Sequence, residues 1–568
     1  MTAGAGKTKG GETEAIRAEE RRFSLLHRTA VLFPLLLGLA IVLIQFHRPG
    51  LTADGVTYLQ IARNILFGQG LGWQASWVPP LHSMLIAAAS YLPGIGDLLT
   101  AAGIVSSGMY LCLVVAVYLL ARELFDLRTA LVASFFTALS PHLITIAFSP
   151  EAEITYTFFL TLSLLLAARN ARLGTVAGAA ATGVSFALAW MARSEGIIVM
   201  ACLLAGLSVL QGRSVFRTRM FRNCLVTVLF FMLTAAPYLL FLKAQYGTWV
   251  ISPKSSYVQI WMKSRIYHDN NKGERENDEL WGLTPDGTKL LWQVPKGIGD
   301  LAGYLMGHPE KSLRVYLHNL GMELPGRIPN NSGMERFPQL YPVYLALAAL
   351  LAVFLPWGER AKEKRAVLLT PFLILLILPV FTEGWWKYLV PYLPVVMILA
   401  ARGITGGASL LAARVSPRHA VGLAAGSIVA VTAIVVVRFW IALHPLSAAQ
   451  SASGAAVSPS IAARRNMVEV ARLAGEWGAA RFGPGKNYMV RWDKIVYYLD
   501  GIWTAFPVAD VPQIMDYARR NKVDYIVLEL DARPDRESLL NAPAGLRFAG
   551  LYDSDRFAYV VVFYRVLR

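Results

Sequence analysis

Long apolar runs alternate with short charged loops over most of the chain. Runs near 30–47, 101–121, 129–148, 153–168, 174–192, 196–211, 224–243, 339–356, 366–382, 388–402 and 420–442 approach the ~20 residues needed to cross a bilayer core. They predict about eleven transmembrane helices. Two further apolar stretches, 61–67 and 81–92, are too short to span and read as helices lying along the membrane surface.

The charged loops orient the spans. Arg21, Arg22 and Arg28 precede the first run, Arg122 and Arg128 follow the second, and Arg169 and Arg172 follow the fourth. Arg213, Arg217, Arg219 and Arg222 follow the sixth. Arg360, Lys362, Lys364 and Arg365 follow the eighth, and Arg414 and Arg418 the tenth. With eleven spans all of these lie on one side, which the positive-inside rule makes the cytoplasm. The polar tail 1–29 is then cytoplasmic. The run Val31–Phe46, with no cleavage-site pattern after it, reads as a retained signal anchor. The expected localisation is a bacterial cytoplasmic membrane.

The opposite face carries outer loops at 48–100 and 244–338 of a membrane module spanning 30–444, and then the C-terminal tail. Residues 445–463 are Ala/Ser/Gly-rich and read as a linker. Residues 464–568 read as a small periplasmic α/β domain. Its expected strands are Asn487–Val490, Tyr525–Leu530 and Tyr559–Tyr564, with a helix over Val511–Asn521 and a weaker one over Asp535–Leu540. No nucleotide-binding glycine loop occurs in it. The fold class is a mostly α-helical integral membrane protein with a small extramembrane α/β domain.

Composition agrees. The chain is 55% hydrophobic and 16% charged, with mean hydropathy +0.45, whereas soluble domains are about a quarter charged. A net charge of +17 would suggest nucleic acid in a soluble protein. Here the cations sit in the loops between apolar runs and set topology instead, so no nucleic-acid partner is expected. Cys112, Cys202 and Cys224 lie in or at the ends of apolar runs and read as small hydrophobes, not a disulfide set or a metal cluster.

Charges beside a membrane need a reason, and several fall on the outer face. Asp54, in Thr52-Ala-Asp-Gly-Val-Thr-Tyr58, follows the first span; as a structural residue it would N-cap a helix over Val56–Leu66. In Trp77-Val-Pro-Pro-Leu-His82 the prolines fix a bend before a short helix, and His82 either meets a phosphate or faces water. Glu151 and Glu153, in Ser149-Pro-Glu-Ala-Glu153, suit the dipole of the fourth span and could face Asp54. Arg193 and Glu195 form a charged turn between spans. Lys254 lies in the long outer loop. Lys387, in Glu383-Gly-Trp-Trp-Lys-Tyr388, either meets a lipid phosphate or snorkels to the headgroups. Tyr58, Trp73, Trp77, Trp385 and Trp386 lie nearby in sequence. This mixture suits transfer of a sugar from a lipid phosphate. A carboxylate takes the acceptor's proton, cations stabilise the departing phosphate, and aromatic rings stack on sugars.

At these residues the chain resembles the GT-C class of polytopic glycosyltransferases, in the branch of the protein O-mannosyltransferases and aminoarabinose transferases. The resemblance spans about 30–405. It rests on Asp54, Tyr58 and Pro79-Pro80-Leu81, on Ser149 and Glu151, on Arg193, Glu195 and Gly196, and on Lys387, Tyr388, Leu389, Pro391 and Pro394. It implies inverting transfer from a polyprenyl-phosphate sugar on the outer face to a protein, lipid or polysaccharide acceptor. Asp54 is the implied general base and Glu151 a second catalytic carboxylate. Tyr58, His82, Glu153, Arg193, Lys254, Lys387 and Tyr388 are the candidate substrate-binding residues, with Lys387 at the lipid phosphate. Gly55 stands where many mannosyltransferases carry a second acid, and no Asp-x-Asp occurs in the first outer loop. The expectation is therefore no metal or other cofactor, although a divalent ion stays compatible. The competing class is a transporter or flippase for an envelope substrate. Such proteins place charges near the bilayer midplane, whereas the centres of these spans are almost free of them. A binding protein acting through its external domain is the third class.

Overall fold

The computed structural model describes residues 31–45, 51–211, 219–252, 254, 281–294, 298–323, 343–380, 386–415, 422–435, 437, 459–491, 493–529, 545–554 and 559–567. The tail 1–29, the weak helix expected at Asp535–Leu540 and Trp385 lie outside these residues.

The first ten helices are α1 (Leu32–Gln45), α2 (Ala53–Leu66), α3 (Leu81–Ala89), α4 (Leu98–Leu124), α5 (Leu127–Leu139), α6 (Pro141–Ala147), α7 (Glu153–Leu173), α8 (Val176–Ala192), α9 (Gly196–Gln211) and α10 (Arg219–Tyr246). Among the described residues four helices are long and apolar enough to cross a membrane: α4, α7, α10 and Lys387–Arg414. The pair α5 and α6, bent by 57°, makes a fifth if taken as one span. The bend falls at Ser140-Pro141. Proline pushes the residue before it out of the helical region, and Ser140 is extended at φ −65°, ψ 118°. Five shorter apolar helices, Leu32–Ile44, Val176–Ala192, Gly196–Val209, Val343–Phe354 and Gly422–Val435, fall on five more of the expected runs.

The run expected at 366–382 differs. It is broken into Ala361–Leu369, Thr370–Leu373, Ile374–Ile377 and Leu378–Val380, alternating α and 3-10 geometry. Pro371 and Pro379 each lack the amide proton a continuous helix needs.

The short helices also depart from expectation. α2 begins at Ala53, and its N-cap is Thr52, whose Oγ1 accepts from the Gly55 amide at 3.0 Å. Asp54 is left free of that task. α2 and α3 pack against α4: Val56, Leu59, Ile61, Ala62, Ile86 and Ala87 bury together with Ala101 and Ala102.

Small residues bring the long helices close, as is general in bilayers. A Cβ on Gly183 of α8 would lie 2.2 Å from the Thr227 carbonyl of α10, so only glycine permits this crossing. Above it Trp190, Phe231 and Tyr238 pack ring to ring. Tyr238 and Tyr246 of α10 then donate to the Ala75 and Ser76 carbonyls at 2.8 and 2.6 Å, which fixes the turn Trp73–Ser76 on the membrane module.

The C-terminal domain is a five-stranded mixed sheet of order β2-β1-β3-β5-β4, with β1 Asn487–Val490, β2 Ile502–Ala505, β3 Tyr525–Glu529, β4 Leu546–Ser554 and β5 Tyr559–Val566. β1 pairs in parallel with β2 and β3, and β5 runs antiparallel to β3 and β4. The expected strands at 487, 525 and 559 are present. β2 is only four residues long, and β4 is interrupted by a register shift between Phe548 and Gly550; neither gives a clear period of two. The helix Pro459–Phe482 begins inside the segment expected to be linker.

This domain is clamped to the segment between α1 and α4. Arg63 of α2, 12% exposed, pairs with Asp500 at 3.0 Å and donates to the Tyr497 and Gly501 carbonyls at 3.3 and 3.4 Å. Trp73 and Gln74 donate to the Trp503 carbonyl at 3.0 and 3.4 Å. Trp73, Trp77, Trp281, Trp292 and Trp503 pack around this joint. Arg63→Ala removes charged hydrogen bonds worth about 1.5–3 kcal/mol each at most. It is expected to leave the membrane helices folded while making the C-terminal domain separable: limited proteolysis in detergent should release it several times faster than from the wild type.

Candidate active site

Three segments far apart in sequence meet at one end of the bundle, where α2 begins, α7 begins and the helix Trp386–Leu389 starts. The approach of the first two depends on Gly55. A Cβ there would lie 2.5 Å from Pro150 Cγ and 2.7 Å from Thr52 Oγ1. Without a side chain, the Ser-Pro-Glu turn packs directly on the start of α2, and Glu151 comes beside Asp54. The position where relatives of the resembled branch carry a second acid has no room for one here.

Lys387 joins them. Its Nζ lies 2.8 and 2.6 Å from the two Glu151 oxygens and 3.8 Å from Asp54 Oδ2. The three side chains differ in access: Glu151 is 1% exposed, Lys387 17% and Asp54 46%. Asp54 is thus the member open to an incoming group, while Glu151 holds Lys387 from behind. Snorkelling to the headgroups does not describe Lys387, whose charge is already engaged by carboxylates.

A second cation completes the cluster. Arg193, at the C-terminal end of α8, bonds Glu153 through Nη1 and Glu195 at 3.1 Å through Nη2. Its guanidinium lies 4.7 Å from the centre of the Tyr388 ring. The turn Arg193-Ser-Glu-Gly therefore ties the end of α8 to the start of α7 and to the residue after Lys387. Lys254 stands over the Trp77 ring at 5.4 Å. This contact links the charge cluster to the tryptophan group under the C-terminal domain.

The fields follow from this geometry. Burial alone would raise the Asp54 carboxyl, but Lys254, Lys387 and Arg193 outweigh it and hold it below the usual carboxylate range. Glu151 goes the other way. Burial, reinforced by the neighbouring Glu153 and Asp54 carboxylates, outweighs Lys387 and pushes it up to about 7. Glu195 is buried too, yet Arg193 keeps it low.

His82 is not part of the charged set. It is fully buried and does not face water. Its Nδ1 is 2.9 Å from Thr155 Oγ1, its ring meets Tyr58 edge-on at 5.5 Å, and burial pushes the imidazole down to about 3. Its Nε2 has no hydrogen-bond partner among the described residues. Tyr58 is buried beside it and feels both Glu153 and Arg193. The structure therefore brings together Asp54, Glu151, Glu153, Arg193, Lys254, Lys387 and Tyr388, with Tyr58 and His82 packed behind. Gly55 and Pro150 as the wedge that sets the spacing were not recognised in the sequence; only their places beside Asp54 and Glu151 hinted at it. Among the described residues no group of three or more His, Cys, Asp or Glu is arranged to hold a metal ion.

Comparisons with known proteins bear on the fold. The sequence model for dolichyl-phosphate-mannose-protein mannosyltransferases matches residues 78–241. Curated proteins give no sequence match. Among solved structures, the Archaeoglobus fulgidus oligosaccharyltransferase with a tethered acceptor peptide aligns at TM-score 0.54 and 14% identity, over 89% of this chain and 69% of that one. The same organism's AglB with an inhibitory peptide and a dolichol-phosphate aligns at 0.54 and 15%, over 94% and 74%. ArnT from Cupriavidus metallidurans bound to undecaprenyl phosphate aligns at 0.51 and 14%, over 95% and 98%. The chain has the GT-C glycosyltransferase fold that these structures share. The alignment with ArnT runs almost end to end in both chains.

Two outcomes test the site's construction. Gly55→Ala forces the Pro150 ring away and is expected to destabilise the chain by about 1–3 kcal/mol, the usual cost of overpacking, seen as a lower thermal midpoint in detergent. Glu151 has its folded pKa raised, so its contribution to stability is full below the unfolded value of 4.5 and is lost as pH rises through about 7. The wild-type midpoint should fall between pH 5 and pH 8 relative to Glu151→Gln, and a parallel fall in both would contradict the assignment.

Proposed function

We propose that the chain is an inverting glycosyltransferase that moves a sugar from a polyprenyl-phosphate donor to an acceptor on the outer face of a bacterial cytoplasmic membrane. The observation that carries this reading is Lys387 standing between Asp54 and Glu151. A cation from late in the chain and a half-open carboxylate from its start share one cluster at the membrane boundary. The polyprenyl phosphates bound by ArnT and AglB, two proteins of this fold, support a lipid-phosphate donor.

In this reading the donor phosphate enters beside Lys387, with Arg193 and Lys254 adding positive field. The acceptor hydroxyl or amine approaches the exposed side of Asp54. The acceptor's oxygen or nitrogen attacks the anomeric carbon as the bond from that carbon to the phosphate oxygen breaks. The electron pair leaves with the polyprenyl phosphate, whose growing charge Lys387 meets, and the acceptor's proton goes to Asp54. Attack opposite the leaving phosphate inverts the anomeric centre. The cations that lower the Asp54 pKa keep it ionised, and ready to accept a proton, through the neutral range. Glu151 orients Lys387 and, as a protonatable neighbour, lets the cluster absorb the extra negative charge of the released phosphate. Tyr388 and Trp77 form the aromatic edge along which a sugar ring can lie. The Arg-rich ends of the helices are then cytoplasmic and the C-terminal domain periplasmic, the domain being a fixed cover on the first outer loop.

Purified chain assayed with a polyprenyl-phosphate sugar tests this. Asp54→Asn is expected to lower turnover by roughly 10²–10⁴-fold with an unchanged thermal midpoint; normal turnover would remove the base assignment. Lys387→Ala should lower kcat by about 10²–10³-fold, more than it raises KM, and Lys387→Arg should recover part of the loss. A change confined to KM would mean that the lysine only binds donor.

A further inference from the structure

A cavity lies at the other end of the bundle. It has a volume of about 330 Å³ between the ends of α7, α8, α9 and α10. α7 runs from the Glu153 cluster to Leu173 at this cavity, and 21 helical residues rise roughly 30 Å. The two sites therefore stand at opposite membrane boundaries, and the cavity is separate from the transfer chemistry.

Its walls are of three kinds. Leu203, Leu204 and Leu207 make an apolar side. Asn170 and the buried Asn223 make a polar floor, and Asn170 Oδ1 is buried with no hydrogen-bond partner. Arg172 and Arg219 stand at the edge, and Arg222 donates to the lining Gly174 carbonyl at 3.3 Å. Positive charge is in excess here. The nearby carboxylate, Glu123, already faces Arg172 at 2.7 Å, Arg360 at 3.8 Å and Arg169 at 3.9 Å, leaving Arg219 and Arg222 unneutralised by it.

The mouth is amphiphilic. Leu173 lines the cavity and is 56% exposed, beside the exposed Arg219. Farther along α10, Leu225, Val228, Leu229, Met232 and Leu233 form an exposed apolar stripe at helical spacing. The volume suits a headgroup with its glycerol, at the small end of ligand cavities, and is too small for acyl chains, which would lie along that stripe. Basic pockets between membrane helices at this boundary are suited to anionic lipid heads.

We infer that this cavity binds the head of an anionic phospholipid: its phosphate diester at Arg219, and a head hydroxyl donating to Asn170 Oδ1. A phosphatidylglycerol-like head has both groups. A zwitterionic choline head lacks the hydroxyl and brings its own cation to the arginines. A free phosphate ester shares the anion chemistry without the chains.

Delipidated full-length chain in detergent, followed by native mass spectrometry and thermal unfolding, separates these sources. Dioleoyl phosphatidylglycerol is expected to bind at least tenfold more tightly than dioleoyl phosphatidylcholine and to raise the thermal midpoint. Glycerol 3-phosphate at the same concentration should do neither. Arg219→Glu, an exposed position with no expected folding penalty, should erase the preference, and Arg314→Glu, an exposed arginine of the helix Pro309–Glu323, should leave it intact. Filling the cavity with Leu203→Trp provides a second variant, which should lose phosphatidylglycerol binding while still unfolding cooperatively. Equal binding of the two lipids, equal binding of glycerol 3-phosphate, or an undiminished preference in Arg219→Glu would each overturn the inference. None of these readouts uses glycosyl transfer, so the result is independent of the proposed activity.

Discussion

Lys387 and Glu151 form a hydrogen-bonded ion pair in a place where water scarcely reaches the carboxylate. Such a pair rarely adds net stability, because removing both charges from water costs about as much as their attraction returns. What it confers is position. Glu151 holds Lys387 through both carboxylate oxygens, and Asp54 lies 3.8 Å from the same ammonium. The rest of the site follows from keeping this pair intact. Pro150 must press on the start of α2, so residue 55 must lack a side chain. Arg193 binds Glu153, which would otherwise be a third carboxylate beside one lysine. Breaking either partner alone would strand a buried charge, which is far more costly than replacing both.

Much of the architecture was legible in the sequence because bilayer thickness imposes a length on apolar runs. Ten of the eleven expected runs coincide with apolar helices or with the bent pair at Pro141. The eleventh, 366–382, carries two prolines within an apolar stretch, and hydropathy is blind to the missing amide protons that break it. In the C-terminal domain the three strands with dense β-branched or aromatic residues were readable, whereas β2 and β4 depend on their neighbours for pairing. For the site, residue types and order pointed to Asp54, Glu151, Arg193 and Lys387 together, since charges at a membrane boundary are conspicuous. Their pairing was not readable, because Glu151 and Lys387 are 236 positions apart and nothing local couples them. His82 illustrates the converse. Its place after Pro79-Pro80 suggested an exposed ligand, but the helix it opens is packed inward, and burial makes the ring neutral.

The tryptophan-rich joint connects the two halves of the molecule. Trp77 touches Lys254 on one side and Trp292 on the other, and Trp292 packs into the core of the C-terminal domain. The C-terminal domain is therefore in contact with the segment that carries Asp54. The opposite faces of α2 divide the labour: Asp54 and Arg63 are nine residues apart, about half a turn out of phase at 3.6 residues per turn, so one side addresses the cluster and the other holds the domain.

That arrangement has a consequence for biogenesis. Arg63 emerges early in synthesis, yet the Gly501 carbonyl it grips comes 438 residues later. At roughly 5–20 residues per second the first loop waits for about 20–90 seconds, with its arginine unmatched, while all the intervening helices insert. A nascent chain that has stopped at the last membrane helix holds every residue of the charge cluster but lacks Asp500 and the carbonyls that Arg63 grips, so the joint between the two halves closes only once the C-terminal domain has been made.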